Sequence, residues 1–265
     1  MKLEDISQDQ INYLKNNKNE ITFELLETLR SFGNEGKQLC LDILETDKNE
    51  EGYYLDYFGN KISYNGDRGL KKPYTRMNLS QIHLDEIKRC KDDVHYFKDN
   101  YVKITTKKGV NFPDIREYQN QLLDVLSDKN EEYPGQNESV VGLLSRQSGK
   151  SISTGIYLAW NFNFKTDMII GITANKSSLA REFLNNVKNI LINLPMWMQQ
   201  GIKVWNKGSI MNELNMRILT DAPSSGSFRG FTCLSGDHLV EVYDKIDNCY
   251  KKISIKDLYN SMVEL

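Results

Sequence analysis

Short apolar runs alternate with helix-like segments after Pro113, and this alternation constrains the fold more than any other feature of the chain. Residues 140–144 and 168–172 have the length and composition of buried strands, whereas 150–160 and 178–194 have helical spacing. Strands that alternate with helices are typical of a parallel sheet whose strands are joined by crossover helices. The sequence therefore predicts an α/β fold for this part of the chain.

The part of the chain before residue 92 has a different, mostly helical character. Apolar residues recur at helix-like spacing in 23–29 and 39–44, which predicts helices there. Four glycines interrupt the stretch 52–74, so a loop or small hairpin is predicted for it. We expect residues 1–91 to form a helical N-terminal region.

The segment between the first predicted strand and the next helix has the residues of a phosphate-binding loop. Gly149 would let the backbone approach a phosphate closely, Lys150 can reach the β- and γ-phosphates, and the Ser151 hydroxyl can hold Mg²⁺. Leu144 stands where the general motif has its first glycine. A Gly-Lys-Ser tripeptide also fits a polar helix start, but the strand before it and the helix after it favour nucleotide binding. The expected contacts with ATP are Ser145, Gln147, Ser148, Gly149, Lys150 and Ser151.

Two further side chains fit a nucleotide site. Arg146, inside the loop, can stabilise the charge that develops on a transferred phosphoryl group, as an arginine supplied in cis. Gln119, near the start of a helix predicted over 116–126, carries an amide whose donor and acceptor match an adenine edge. Taken singly, each also fits an ordinary solvated side chain.

Several short motifs follow one another in order between about Cys90 and Thr232. The loop 144–151 reads Leu-Ser-Arg-Gln-Ser-Gly-Lys-Ser. The others are residues 95–104, 116–119, 170–176, 194–195, 205–210, 224–225 and 229–230. Together they resemble the large terminase subunits of tailed phages, especially those with contractile tails, whose loop has the pattern Ser-Arg-Gln-x-Gly-Lys.

This resemblance implies a RecA-like, P-loop ATPase that uses ATP and Mg²⁺ to drive double-stranded DNA into a prohead in the host cytoplasm. It implies that Gln119 contacts adenine, that Arg146 is the arginine in cis, and that Lys150 and Ser151 hold phosphate and Mg²⁺. The portal protein and the small terminase subunit are the implied partners. A nuclease domain would follow in the intact protein.

A phosphate-loop ATPase also needs two acidic residues at the end of a later strand, one for Mg²⁺ and one for the attacking water. No such strand is recognisable in the sequence. The nearest candidate, 217–221, ends in a single acid before Ala222-Pro223, and in terminases this strand precedes the acidic one. We therefore predict that Asp221 is a turn residue.

Directly after Thr232 the sequence changes to Cys-Leu-Ser-Gly-Asp-His-Leu-Val, residues 233–240. This block resembles the opening of inteins, with His238 in place of the usual threonine. The thiolate of Cys233 can attack the Thr232 carbonyl and convert the peptide bond to a thioester, so Cys233 is the expected splicing nucleophile.

The later intein blocks, Thr-x-x-His and a terminal His-Asn, are not found, and 233–265 is too short for a complete intein. The resemblance therefore implies the N-terminal half of a split, HINT-type intein. A complementary chain would carry the C-terminal half and the rest of the terminase. An isolated cysteine more often is an ordinary buried thiol, but the break in the terminase resemblance at Thr232 favours splicing.

Composition and charge narrow the class of protein further. The net charge is −2, so contacts with DNA would have to come from local basic patches. A hydrophobic fraction of 39% is enough for a buried core. No run of about 18 apolar residues occurs and no signal core is present, so we expect a protein of a reducing cytosol without a membrane span.

The remaining cysteines and two of the histidines are expected to be structural or solvated. The four cysteines, Cys40, Cys90, Cys233 and Cys249, lack metal-ligand spacing, which argues against a zinc site or a disulfide framework. His83 and His95 have no partner at such a spacing either.

Three domains are thus expected: a helical region over 1–91, a partial terminase ATPase over 92–232 and a short β-rich intein fragment over 233–265. Two alternatives remain open. A stand-alone, helicase-like P-loop ATPase would require an acidic pair within this chain. An inactive nucleotide-binding remnant would be favoured if Cys233 were inert.

Overall fold

The computed structural model describes residues 6–106, 109–127 and 148–221, and two later strands at 239–244 and 249–254. Within these ranges the chain is a mixed α/β protein. The helices are α1 (Gln8–Asn16), α2 (Phe23–Arg30), α3 (Gly33–Leu44), α4 (Gln81–Asp92), α5 (Val94–Asn100), α6 (Glu117–Leu126), α7 (Lys150–Phe164) and α8 (Ser177–Ile192). None of them is both long and apolar enough to cross a bilayer.

The strands form four separate sheets within the described ranges. They are β1 (Ser63–Tyr64), β2 (Asp67–Lys71), β3 (Ile104–Thr106), β4 (Gly109–Asn111), β5 (Ile169–Thr173), β6 (Ile202–Trp205), β7 (Ser209–Asn212), β8 (Arg217–Asp221), β9 (Leu239–Asp244) and β10 (Cys249–Ser254). The largest sheet has the order β5-β8-β7-β6. The other three are two-stranded antiparallel ribbons.

The elements predicted before residue 92 are confirmed. α2 and α3 occupy the two segments with helix-like apolar spacing, and the Thr22 hydroxyl caps α2 by accepting a bond of 3.2 Å from Leu25 N. In the glycine-rich stretch, β1 and β2 pair across Asn65-Gly66. Both turn residues have positive φ, as a two-residue hairpin turn with the strand's own twist requires.

The helices and strands predicted after Pro113 are also confirmed where the structure describes them. α6, α7 and α8 match the predicted helices, and α7 continues four residues further, to Phe164. β5 matches the predicted strand 168–172 within one residue at each end. The predicted strand 140–144 lies outside the described residues.

The main sheet is mixed, which corrects the prediction of a parallel sheet. Only β5 and β8 pair in parallel; β7 runs antiparallel to both β8 and β6. The cause lies in the turn at Asn206, whose side-chain Oδ1 accepts bonds from Gly208 N at 3.0 Å and Ser209 N at 2.8 Å. Because so short a turn cannot make a crossover, the two strands that it joins must be antiparallel.

Asp221 is not a turn residue, contrary to the prediction. It is the last residue of β8 and pairs in parallel register with Thr173, the last residue of β5. The following Ala222-Pro223 suggested a turn, but backbone pairing with β5 extends the strand through Asp221. The side chain is therefore at the carboxyl end of two parallel strands.

One hydrophobic core joins the helical N-terminal region to the main sheet. Its buried side chains come from α2 to α8 and from β6 to β8, and Trp160 Nε1 donates a bond of 2.7 Å to the carbonyl oxygen of Cys90. Residues on both sides of the predicted boundary at 91 thus share apolar surface. The domain limits themselves remain predictions.

A buried ion pair fixes α2 against α4. Arg30 Nη2 lies 2.6 Å from Glu86 Oε2, and Glu86 is fully buried. The Tyr101 hydroxyl also donates to Glu86, and the Tyr96 hydroxyl donates to its other oxygen at 2.8 Å. Burial raises the pKa of the Tyr101 hydroxyl well above its usual range, so it stays a donor. The carboxylate is thereby compensated by one guanidinium and two hydroxyls.

His83 is a buried structural residue, as predicted for it. Its Nδ1 accepts a bond of 3.2 Å from Ser80 N, so Nε2 must carry the proton of the neutral ring and donate to Leu44 O at 2.8 Å. The ring also meets that of Trp197 edge to face, with centroids 4.8 Å apart. Burial lowers the pKa of His83, which keeps the ring neutral.

The cysteines that the structure describes in full are inert. Cys40 and Cys90 are buried free thiols. Burial raises the pKa of Cys40 to about 12 and that of Cys90 well above its usual range. Cys249 is the first residue of β10 and pairs with Asp244 of β9. These two strands form the described part of 233–265, and their assignment to an intein remains a prediction.

Candidate functional site

The site predicted around the Gly-Lys-Ser sequence lies where α6 meets the start of α7. Gly149 is the N-cap of α7 and has φ 76° and ψ 11°, a left-handed conformation that favours glycine. A Cβ atom there would stand 2.5 Å from Gln119 Nε2. The backbone conformation therefore favours glycine at this position, and a larger residue would displace the amide of Gln119.

Gln119 is a buried partner of the loop, not a solvated side chain. It is only 4% exposed. Its Oε1 accepts a bond of 3.0 Å from Arg116 N, and its Nε2 donates one of 3.2 Å to Gly149 O. The amide thus links the start of α6 to the start of α7. Among the described residues, one N–H and one lone pair of the amide have no partner.

Tyr118 is a second contact between α6 and the loop, and the sequence prediction missed it. Its hydroxyl donates a bond of 2.5 Å to Ser148 O, and Arg116 Nη1 lies 3.4 Å from the same hydroxyl. Tyr118 directly precedes Gln119, and the two residues hold the carbonyl groups of two successive loop residues. The place of Tyr118 directly before Gln119 in the sequence is the signal that could have indicated this contact.

The direction of these carbonyl groups determines where the loop's N–H groups point. In a planar trans peptide the N–H lies opposite the C=O. Ser148 O accepts from the Tyr118 hydroxyl, so the N–H of Gly149 must turn away from that hydroxyl. Gly149 O is the first acceptor of α7, bonded by Ile152 N at 2.9 Å as well as by Gln119, so the N–H of Lys150 points back from the start of the helix. Neither N–H donates to any residue that the structure describes. Among the described residues, these are thus two unpaired donors at the positive end of a 15-residue helix.

The side chains beside these donors are suited to an anion and a metal. Lys150 and Ser151 are exposed in the first turn of α7, which contains no acidic residue. The Ser148 hydroxyl oxygen is buried and has no hydrogen-bond partner among the described residues. Buried polar atoms normally have partners, so such an atom beside free N–H groups fits a ligand's oxygen. A phosphate fits this set of donors, and the Ser151 hydroxyl is available to Mg²⁺.

The other predicted site residues fall outside the part of the chain that the structure describes. They are Ser145, Arg146 and Gln147 in the loop, and Thr232 and Cys233 at the predicted splice junction. The structure thus brings together Gln119, Ser148, Gly149, Lys150 and Ser151. It gives no geometry for the arginine in cis or for splicing.

No protein-family model matches the sequence. The terminase and intein resemblances therefore depend on the order of the motifs in the sequence.

Proposed function

We propose that the start of α7 binds the phosphates of ATP and that the chain is the N-terminal ATPase portion of a phage DNA-packaging motor. The observation that carries the proposal is the pair of outward N–H groups at Gly149 and Lys150. Their direction follows from the bond of Tyr118 to Ser148 O and from the place of Gly149 O as the first acceptor of α7. The order of terminase-like motifs supports the finer assignment to a packaging motor.

In this proposal the protein's own groups act mainly by positioning and by charge. The two N–H groups, the helix dipole and the Lys150 ammonium stabilise the phosphates, and the Ser151 hydroxyl is a ligand of Mg²⁺. Mg²⁺ would neutralise charge on the phosphate oxygens. Arg146 stabilises the charge that develops on the transferred group. We expect the isolated chain to bind nucleotide and the complementary chain to supply the acidic pair for rapid turnover.

Nucleotide binding is tested by calorimetry with a non-hydrolysable ATP analogue and Mg²⁺. Lys150→Ala should weaken binding by about tenfold or more, because it removes a charge-assisted contact to phosphate. The matched control is Lys176→Ala, since Lys176 is an exposed lysine at the N-cap of α8 without a left-handed glycine before it. Equal affinity of wild type and Lys150→Ala would contradict the proposal.

We further propose that Cys233 joins this portion to its complement by protein trans-splicing. The support is the intein-like block 233–240 at the point where the terminase motifs stop. Mixing the chain with a matching C-terminal intein half should give a ligated product that retains residues 1–232 and loses 233–265. Mass spectrometry would identify the product, and Cys233→Ala should give none. If wild type gives none with any cognate half, the splicing proposal fails.

A stand-alone, helicase-like ATPase is the second candidate. The observation in its favour is the position of Asp221 at the carboxyl end of β8, where an acidic residue of such an ATPase would be expected. In this candidate the isolated chain hydrolyses ATP without a partner, and Asp221→Asn abolishes hydrolysis while analogue binding remains. In the first candidate hydrolysis by the isolated chain is slow, and Asp221→Asn leaves it unchanged. A steady-state phosphate-release assay separates the two.

A further inference from the structure

Three aromatic rings are exposed in the glycine-rich segment 52–74. Tyr57, Phe58 and Tyr74 are 68%, 76% and 72% exposed. The rings of Tyr57 and Phe58 meet edge to face, with centroids 5.4 Å apart. Tyr57 N donates a bond of 2.8 Å to Arg76 O, which places this loop beside the segment that carries Tyr74. We call these three rings the aromatic surface; clustered exposed rings are a mark of an interaction site.

Two carboxylates hold the backbone of the aromatic surface in place. Asp56 Oδ1 accepts bonds from Phe58 N at 2.9 Å and from Asn60 N at 2.8 Å. Tyr74 has φ 60°, a left-handed conformation that is unfavourable for a tyrosine. Glu213 stabilises it, because its Oε2 accepts a bond of 2.5 Å from Tyr74 N. The rings are therefore presented by fixed backbone, which reduces the entropy cost of binding.

Cations flank the aromatic surface. Lys72 and Arg76 lie two residues before and after Tyr74, and Lys203 Nζ lies 5.2 Å from the centroid of the Tyr74 ring. None of these three forms an ion pair with a carboxylate in the described ranges. Segment 56–76 contains five basic residues and two acidic residues, although the whole chain has a net charge of −2. The exposed rings thus lie among three cations, Lys72, Arg76 and Lys203, and two carboxylates, Asp56 and Glu213, whose oxygens are bonded to backbone N–H groups.

We propose that the aromatic surface binds single-stranded nucleic acid. Unpaired bases would stack on Tyr57, Phe58 and Tyr74, and the phosphates would lie near the flanking cations. This combination of stacking rings and cations is how proteins bind single strands with little sequence preference. A duplex offers only its phosphates to such a surface, because its base faces are covered by stacking. The surface is separate from the loop at Gly149 and does not depend on ATP binding.

The test uses the full chain and a fluorescently labelled oligo(dT) of about 20 nucleotides, with binding followed by anisotropy at several salt concentrations. We expect Tyr57→Ala/Phe58→Ala and Tyr74→Asn each to weaken binding by at least about fivefold. Asparagine is chosen at 74 because it tolerates the left-handed conformation. Arg76→Ala should weaken binding and reduce its salt dependence, since it removes a phosphate contact.

The matched control is Tyr13→Ala, which removes a 53% exposed tyrosine from α1. It should bind oligo(dT) as wild type does, and circular dichroism of every variant should show an unchanged fold. The proposal is overturned if wild type does not bind oligo(dT), if it binds a duplex equally well, or if the aromatic variants bind normally. Loss of self-association instead of DNA binding in those variants would assign the surface to protein contacts and would also overturn it.

Two measurements on the wild-type chain, of oligo(dT) binding and of ATP-analogue binding, test this proposal and the nucleotide-site proposal separately. A chain that binds oligo(dT) but no ATP analogue would contradict only the phosphate-loop proposal. A chain that binds the analogue but no oligo(dT) would contradict only this one.

Discussion

The side-chain amide of Gln119 donates a hydrogen bond of 3.2 Å to the carbonyl oxygen of Gly149. The same carbonyl oxygen is the first acceptor of α7 and is bonded by Ile152 N at 2.9 Å, so the contact fastens α6 to the start of α7. In the structure Gln119 therefore acts as a positioning residue for the start of that helix. An adenine contact, as the terminase resemblance implies, would have to use the remaining N–H and lone pair of the same amide.

Replacing Gln119 separates these two roles. If Gln119 positions the start of α7, Gln119→Ala should weaken ATP and GTP analogues equally, by about fivefold, because both lose the same support of α6 for that helix start. If Gln119 reads adenine, only the ATP analogue should weaken. Calorimetry with both analogues gives the answer. Gln119→Glu is the matched variant, since it keeps the acceptor for Arg116 N but cannot donate to Gly149 O.

The Tyr118 hydroxyl should contribute to the same site. Tyr118→Phe removes the bond to Ser148 O, which is worth about 1 kcal/mol, and the long contact of 3.4 Å with Arg116, so analogue binding should weaken by about fivefold with little change in the fold. Tyr157→Phe on α7 is the control, because the Tyr157 ring stacks on Trp160 and its contribution is apolar. Equal affinity of the two variants would show that the Ser148 carbonyl does not need this donor.

Removing charge from Glu86 should strongly destabilise the fold. Glu86→Gln leaves the buried Arg30 guanidinium without its buried counter-charge, and breaking such a pair costs about 3–5 kcal/mol in the free energy of unfolding. Glu27→Gln is the matched control. Glu27 also pairs with Arg30, but its side chain is 47% exposed, so its loss should cost less than about 1 kcal/mol. Urea denaturation of both variants measures the difference; similar costs would contradict the prediction.

His83 should make stability depend on pH. Burial lowers its pKa in the folded state from the usual 6.5, so the unfolded chain takes up a proton first as pH falls. The free energy of unfolding should therefore decrease as pH falls below about 6.5. His83→Gln should be less stable than wild type at neutral pH but should lose less stability on acidification. Parallel curves of stability against pH for the two proteins would exclude this contribution of His83.

Local patterns in the sequence predicted the helices because apolar spacing acts over a few positions. α2, α3, α7 and α8 were recognisable in this way, and the glycines of 52–74 indicated a loop or small hairpin there. The pairing of strands from distant segments was not recognisable from local patterns. The antiparallel β7 depends on a turn that Asn206 stabilises, and the extension of β8 to Asp221 depends on β5 alongside it.

The site was predictable in part for the same reason. Gly149, Lys150 and Ser151 form a local motif, whereas the contacts of Tyr118 and Gln119 with the loop span 30 residues. Nothing in the local sequence indicated that the glutamine would be buried, because its burial results from the packing of α6 on α7. The aromatic surface is similarly non-local, since Glu213 fixes the backbone of Tyr74 across 139 residues.

The shared core has a consequence for how the chain can be divided. Trp160 donates a hydrogen bond to the end of α4, and the ring of His83 packs against Trp197. The burial of both indoles therefore depends on the first ninety or so residues. A shortened protein that starts at residue 92 would present these rings and their neighbours to solvent and would tend to aggregate. The N-terminal helices thus supply part of the apolar surface on which the α/β part packs. We expect the two parts to unfold in one transition and to require each other for soluble expression.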